Sequence, residues 1–316
     1  MIPIVSSLTG RAAPADLLIV GCGDVGMRVV RELRGRLRVI ALTSSRERVA
    51  ALRQAGVVPL LGDLDEPQTL ARLSGLAQAV LYLAPPPATG AGDPRLGALL
   101  AALARRRLPR RFVYASTTGV YGDCGGARVD ETRGVRPVTE RARRRVDAER
   151  RLRAWGRATG VRASVLRVPG IYALDREGGR PQTRLLRGTP SLRPEDDVVT
   201  NHIHADDLAR ACIAALWRGR PQRVVNVRDA SEMLAGDYYD LVAKITGLPR
   251  PRRIARAEAR SHFSPAQLSF LEESRRLSDE RMRRELRVTL RYPTVRECLL
   301  AERERRASNT GSGPKT

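Results

Sequence analysis

A doubly wound α/β fold, a parallel sheet wrapped by helices with a small C-terminal lobe, is the architecture this chain predicts. Three observations carry the prediction. Short apolar runs alternate with amphipathic stretches through the first half of the 316 residues. A glycine-rich turn at Gly21, Gly23 and Gly26 directly follows the first apolar run. Long punctuated segments follow the fourth, fifth and sixth runs, where loops in such sheets carry ligands.

The candidate strands are LLIV from Leu17, RVIAL from Arg38, GVVPLL from Gly56, AVLYLA from Ala79, RFVYAS from Arg111 and ASVLRV from Ala163. Between them lie GMRVVRELRGR, RERVAALRQA, RLGALLAALARRR and VTERARRRVDAERRLRAWGRATG, whose apolar residues recur at helical spacing, so that one face packs on the sheet. After about residue 170 the alternation becomes irregular, with helices expected near Ala205 to Arg218, Gly236 to Thr246 and Asp279 to Leu286. The expected organisation is a flexible stretch over 1–14, a nucleotide-binding domain over 15–170, a lobe over 171–305 with some segments returning to the sheet, and a disordered tail over 306–316.

The glycine loop sits in the right context to hold a dinucleotide. Gly21 permits the tight turn, Gly23 lets the backbone approach a pyrophosphate, and Gly26 allows close packing of helix on strand. Asp24 and Val25 fall between the last two glycines, where the exposed amides and dipole of a helix start favour phosphate. About 20 residues on, an acid would accept the ribose hydroxyls of NAD. The second strand ends instead in Thr43, Ser44, Ser45 and Arg46, with a guanidinium that suits a 2′-phosphate. NADP is therefore favoured over NAD, the alternative being that Ser45 caps the next helix and Arg46 is solvated.

These residues resemble the extended short-chain dehydrogenase/reductases, the NAD-dependent epimerase/dehydratase family, from about Leu17 to Leu300. GDLDEP at Gly62 is similar to the acidic turn that contacts adenine in that family, which implies Asp63 with Leu64 beside it. VYASTTGVYGD at Val113 resembles the fifth strand with its catalytic serine or threonine, implying Ser116 and Thr117. LRVPGIYA at Leu166, NHIHADDLARACIAAL at Asn201 and VVNVRDASEMLAGDYYDLVAKITGLP at Val224 resemble later segments of the family. The resemblance implies chemistry by a tyrosine four residues before a lysine, the phenol moving a proton and the ammonium holding the ribose. Here those two positions hold Arg141 and Arg145, and no tyrosine anywhere in the chain has a lysine four residues on. A guanidinium does not deprotonate in proteins, so the acid/base pair is absent. Arg145 is expected either to contact the ribose or to lie on a solvated helix face. Tyr121 is the candidate proton donor, the alternative being that it packs its loop while Ser116 satisfies backbone groups.

The expected function is an NAD(P)-dependent oxidoreductase or epimerase/dehydratase-like enzyme acting on a small molecule. A binding module that kept the nucleotide loop and lost turnover is the first alternative. The second is a basic nucleic-acid-associated protein, since the formal charge is +23. Only Lys244 and Lys315 of the 57 basic residues are lysine, and the arginines are scattered over almost every expected helix, which fits compositional bias better than a nucleic-acid stripe. His202, His204, Asp206 and Asp207 cluster without a second ligand set, so no metal site is expected and Asp206 reads as a helix cap. Cys22, Cys124, Cys212 and Cys298 never form a CxxC pair and read as reduced thiols. The opening residues lack the pattern of a secretion signal and no apolar run approaches a bilayer span, so a cytoplasmic location without membrane contact is expected. A homodimer is compatible with the sequence.

Overall fold

Seven parallel strands form the central sheet of the computed structural model, which describes residues 16–310. They are β1 (Leu17–Val20), β2 (Val39–Thr43), β3 (Val58–Leu61), β4 (Ala79–Tyr82), β5 (Arg111–Thr117), β6 (Arg162–Val168) and β7 (Arg223–Asn226). Their spatial order is β7-β6-β5-β4-β1-β2-β3, so the direction of winding reverses between β1 and β4. Every strand in the sheet runs the same way, which brings all of their carboxyl ends to one edge. A ligand crevice belongs at that edge, beside the reversal.

The central strands are apolar along their whole length because helices cover both faces. On one face lie α1 (Asp24–Leu33), whose Val29, Val30 and Leu33 are buried, and α5 (Ala205–Arg218), whose Leu208, Cys212 and Leu216 meet them. On the other lie α3 (Pro94–Leu103) and α4 (Glu140–Thr159), which bury Leu96, Leu99, Ala148 and Leu152 against Tyr82, Phe112 and Val165. Local chemistry sets their ends. Asp93 caps α3 by accepting from the Leu96 amide, with Pro94 in the first turn. Thr139 caps α4 in the same way, and left-handed Gly160 stops it. The α2 helix (Arg48–Gln54) is short and buries only Leu52.

The lobe is built from short two-stranded pairs and from α6 (Ala235–Thr246) and α7 (Val295–Thr310). Buried Arg28 ties it to the sheet domain, reaching from α1 to Asp175 and Asp206 of the lobe as well as to Asp24. The strand β7, from residues 223–226, lies at one edge of the central sheet. Two expectations are corrected. Asp206 does not cap α5: the His204 ring accepts from the Asp206 amide, and the Asp206 carboxylate is spent on Arg28. The helix α7 continues through Thr310, so residues 306–310 are helical, while the rest of the expected tail and the stretch 1–14 lie outside the described residues. All four cysteines are buried free thiols.

Candidate functional site

The loop after β1 is shaped by glycine at the positions the crevice requires. Gly21 has φ +82°, and a Cβ there would lie 2.5 Å from the Ala84 amide nitrogen in the loop after β4. Two loops on either side of the winding reversal thus touch backbone to backbone. A Cβ on Gly23 would meet nothing within 4 Å, which leaves an open cradle over the start of α1. No side chain caps that helix, because its N-cap residue is Gly23, and the Asp24 carboxylate is held by Arg28 and Arg176. The amides of Asp24, Val25 and Gly26 therefore open the helix without a side-chain acceptor, an arrangement that suits a diphosphate. Gly26 sits under Cys22, whose sulfur would be 3.2 Å from an added Cβ.

The remaining predicted cofactor residues gather at the same sheet edge. Ser44 and Arg46 are exposed beyond the end of β2. Ser45 donates to Glu47, the residue at the cap position of α2, and so is not itself the cap. Arg48 was not singled out from the sequence. Its guanidinium donates to the Cys22 carbonyl at 2.5 Å, inside the glycine turn. Asp63 follows β3 and accepts from the Asp65 amide at 2.9 Å, which tightens the acidic turn, and Leu64 packs against the core beneath it. Asp65 pairs with Arg95, which also donates to the Pro85 carbonyl and so links the loops after β3 and β4.

Arg145, on α4, lies neither on a solvated face nor free. Its Nη1 donates to the Ala115 carbonyl at 2.8 Å, to the Tyr114 hydroxyl at 3.0 Å and to the Ala84 carbonyl at 3.4 Å. It bridges the ends of β4 and β5. Arg141, one turn earlier, stacks on the ring of Phe270 at 4.7 Å.

The three hydroxyls proposed for catalysis part company. Ser116 is buried and donates to Glu149 Oε1 at 2.6 Å, and Arg167 forms a bidentate pair with the same carboxylate at 3.1 and 2.7 Å. Tyr121 is 1% exposed, with its ring under the Arg167 guanidinium and its hydroxyl donating to Asn226 Oδ1 at 2.8 Å. Burial also raises the phenol pKa. A proton-donor role for Tyr121 finds no support in this position, since the ring is enclosed among Val120, Val129, Val146 and Leu277. Thr117 alone is half-buried at the strand end, its Oγ1 accepting from the Gly119 amide.

The neighbour of Thr117 comes from far along the chain. Glu273 Oε2 and Thr117 Oγ1 each lie 3.7 Å from the Cβ position of Gly119. Glu273 is buried and paired with Arg275 at 2.8 Å, and Arg275 in turn donates to the Gly122 carbonyl. The segment is anchored by backbone bonds from Cys124 and Gly126 to the Ser274 carbonyl. Nothing local in the sequence places a carboxylate from residue 273 beside a strand that ends at residue 117, because the contact is made wholly by tertiary packing.

The histidine cluster is structural. His202 stacks on Tyr238 with ring centroids 4.2 Å apart, and burial pushes the His204 imidazole down to about 4, so it stays neutral at physiological pH. Among the described residues no group of three or more His, Cys, Asp or Glu is placed to hold a metal ion. Within the same residues no helix is long and apolar enough to cross a membrane.

The profile of the NAD dependent epimerase/dehydratase family matches residues 17–227. The chain belongs to that family. A protein of unknown function from Silicibacter pomeroyi is 31% identical, with a TM-score of 0.75 over 92% of this chain and 99% of that one. The UDP-glucose 4-epimerase of Thermotoga maritima, solved with UDP-glucose, is 20% identical with a TM-score of 0.74, covering 93% of this chain and 99% of that one. The UDP-glucuronic acid 4-epimerase of Bacillus cereus, solved with NAD, is 17% identical with a TM-score of 0.71, covering 90% and 96%. No curated protein sequence matches the chain.

Proposed function

We propose that this protein is an NADP-preferring oxidoreductase or epimerase-like enzyme for a small molecule, with an acid/base group that does not come from α4. The observation that carries this reading is the open cradle at Gly23 on the carboxyl edge of the sheet, the same edge at which Thr117 and Glu273 both border Gly119. When bound there, the nicotinamide nucleotide supplies hydride chemistry. The glycine turn holds the diphosphate, Thr117 hydrogen-bonds the substrate oxygen, and the Glu273 carboxylate accepts the proton of a substrate hydroxyl as its carbon is oxidised. Arg145 keeps the ends of β4 and β5 in register. The Thermotoga maritima relative solved with UDP-glucose makes nucleotide sugars the first class to screen, along with aldehydes and ketones.

Preference for NADP rests on Arg46, exposed beside Ser44 just beyond the end of β2. Converting Arg46 to alanine is expected to raise the Kd for NADPH about tenfold or more while leaving that for NADH within about twofold, since a charged hydrogen bond is worth about 1.5–3 kcal/mol. Fluorescence titration with both nucleotides checks this, and equal losses for both would remove the preference. Turnover is tested with Glu273→Gln. Its kcat on any substrate found in the screen is expected to fall about 100-fold or more, with NADPH affinity unchanged. Full activity in that variant would exclude the carboxylate. A second reading, a nucleotide sensor without turnover, is favoured by one contact: Arg145 is consumed by backbone carbonyls, so the ribose-holding cation of the family has become a brace. Binding without oxidation of NADPH across the panel would select it.

A further inference from the structure

A second cavity, of about 440 Å³, opens on the far side of α4, between that helix, the loop around Arg133, the edge strand β7 and the short helix Glu280–Arg284. Six arginines line it: Arg133, Arg150, Arg153, Arg167, Arg223 and Arg281. The nearby carboxylates are already committed. Glu149 binds Ser116 and Arg167, Glu131 accepts from the Asn226 amide and pairs with Arg281, and Glu285 is held by Arg223. Arg133, Arg150 and Arg153 remain as exposed cations with no carboxylate partner among the described residues. One further sign is independent of surface charge. The Arg167 side chain is only 5% exposed, yet its Nη1 is buried without a hydrogen-bond partner. That guanidinium is held on Glu149 and over the Tyr121 ring, so it adds a fixed positive charge to the cavity wall.

We propose that this cavity is a binding site for a compact polyanion of the phosphate or diphosphate class, distinct from the nucleotide crevice. The volume falls within the range of small-molecule pockets, and planar guanidinium groups suit the tetrahedral oxygens of phosphate. The occupant would lie next to the Arg167–Glu149 pair, whose carboxylate is hydrogen-bonded to Ser116 beside Thr117. Anion binding here therefore has a direct electrostatic path to the strand end that carries the proposed chemistry.

The test is calorimetric titration of the full chain with inorganic pyrophosphate. A Gly23→Ala background is used to remove diphosphate binding at the glycine turn. Arg150→Ala with Arg153→Ala is compared with Arg105→Ala with Arg106→Ala, a pair of exposed arginines outside the cavity that removes the same charge. We expect one site whose Kd rises at least tenfold in the cavity variant and less than twofold in the control. Equal weakening in both would reduce the effect to the net charge of the chain, and an unchanged Kd in the cavity variant, or no binding in the parent, would overturn the site. None of these readouts depends on turnover, so failure here and failure of the enzymatic reading are separable.

Discussion

Gly21→Ala is expected to destabilise the protein and abolish binding of nicotinamide nucleotides together, whereas Gly23→Ala is expected to abolish binding alone. At Gly21 two costs coincide. An alanine would be forced to φ +82°, and its Cβ would press on the Ala84 amide at 2.5 Å, backbone that cannot swing aside. Strain of that kind costs about 1–3 kcal/mol, and overpacking adds about 1–3 kcal/mol more. For a chain of this size the melting temperature should fall by roughly 5–10 °C. Gly23 has ordinary negative φ and no atom within 4 Å of its Cβ position, so its alanine variant should melt within about 1–2 °C of the parent. Its methyl group would occupy the space through which a pyrophosphate approaches the helix amides, and the Kd for NADPH should rise at least tenfold. Thermal melts and fluorescence titrations of the two variants side by side decide the matter. Undiminished NADPH binding by Gly23→Ala would show that the cradle is not used.

The sheet domain was legible because its signals are local. Each of the six expected strands lies within two residues of an observed one, and the glycine turn, Ser44, Arg46, Asp63 and Leu64 all fall at one sheet edge because parallel strands put every carboxyl end there. What escaped was set by distant packing. The seventh strand, Arg223–Asn226, is expected near Val224 only from the family resemblance, because four residues carry little periodicity and their place is set by pairing with β6. Asp206 has the composition of a cap, but the buried Arg28 competes for its carboxylate and the His204 ring takes the amide. Tyr121 reads as a free phenol near the catalytic strand until Asn226, 105 residues away, claims its hydroxyl. Glu273 and Arg48 carry no local signal at all, since each is defined by what the fold brings within reach.

The same competition between function and structure predicts the second large effect, at Glu149. Removing that carboxylate in Glu149→Ala should cost about 3–5 kcal/mol, measured as a shift in the denaturation midpoint, because the 5%-exposed Arg167 would remain charged and unpaired beneath Tyr121. Arg167→Ala should cost a similar amount by stranding Glu149, 6% exposed, with only Ser116 as a donor. Replacing both at once, Glu149→Leu with Arg167→Met, should recover most of the loss, since an apolar pair of similar volume carries no desolvation cost. If the double replacement instead costs the sum of the singles, the two groups act independently and the bridge between α4 and β6 is not the unit described here. Coupling would explain the altered strand end in physical terms. Once Ser116 is fixed to a carboxylate needed to neutralise a buried guanidinium, it cannot also present its hydroxyl to a substrate. The one strand-end hydroxyl left half-exposed is that of Thr117, and the Glu273 carboxylate borders the same Gly119.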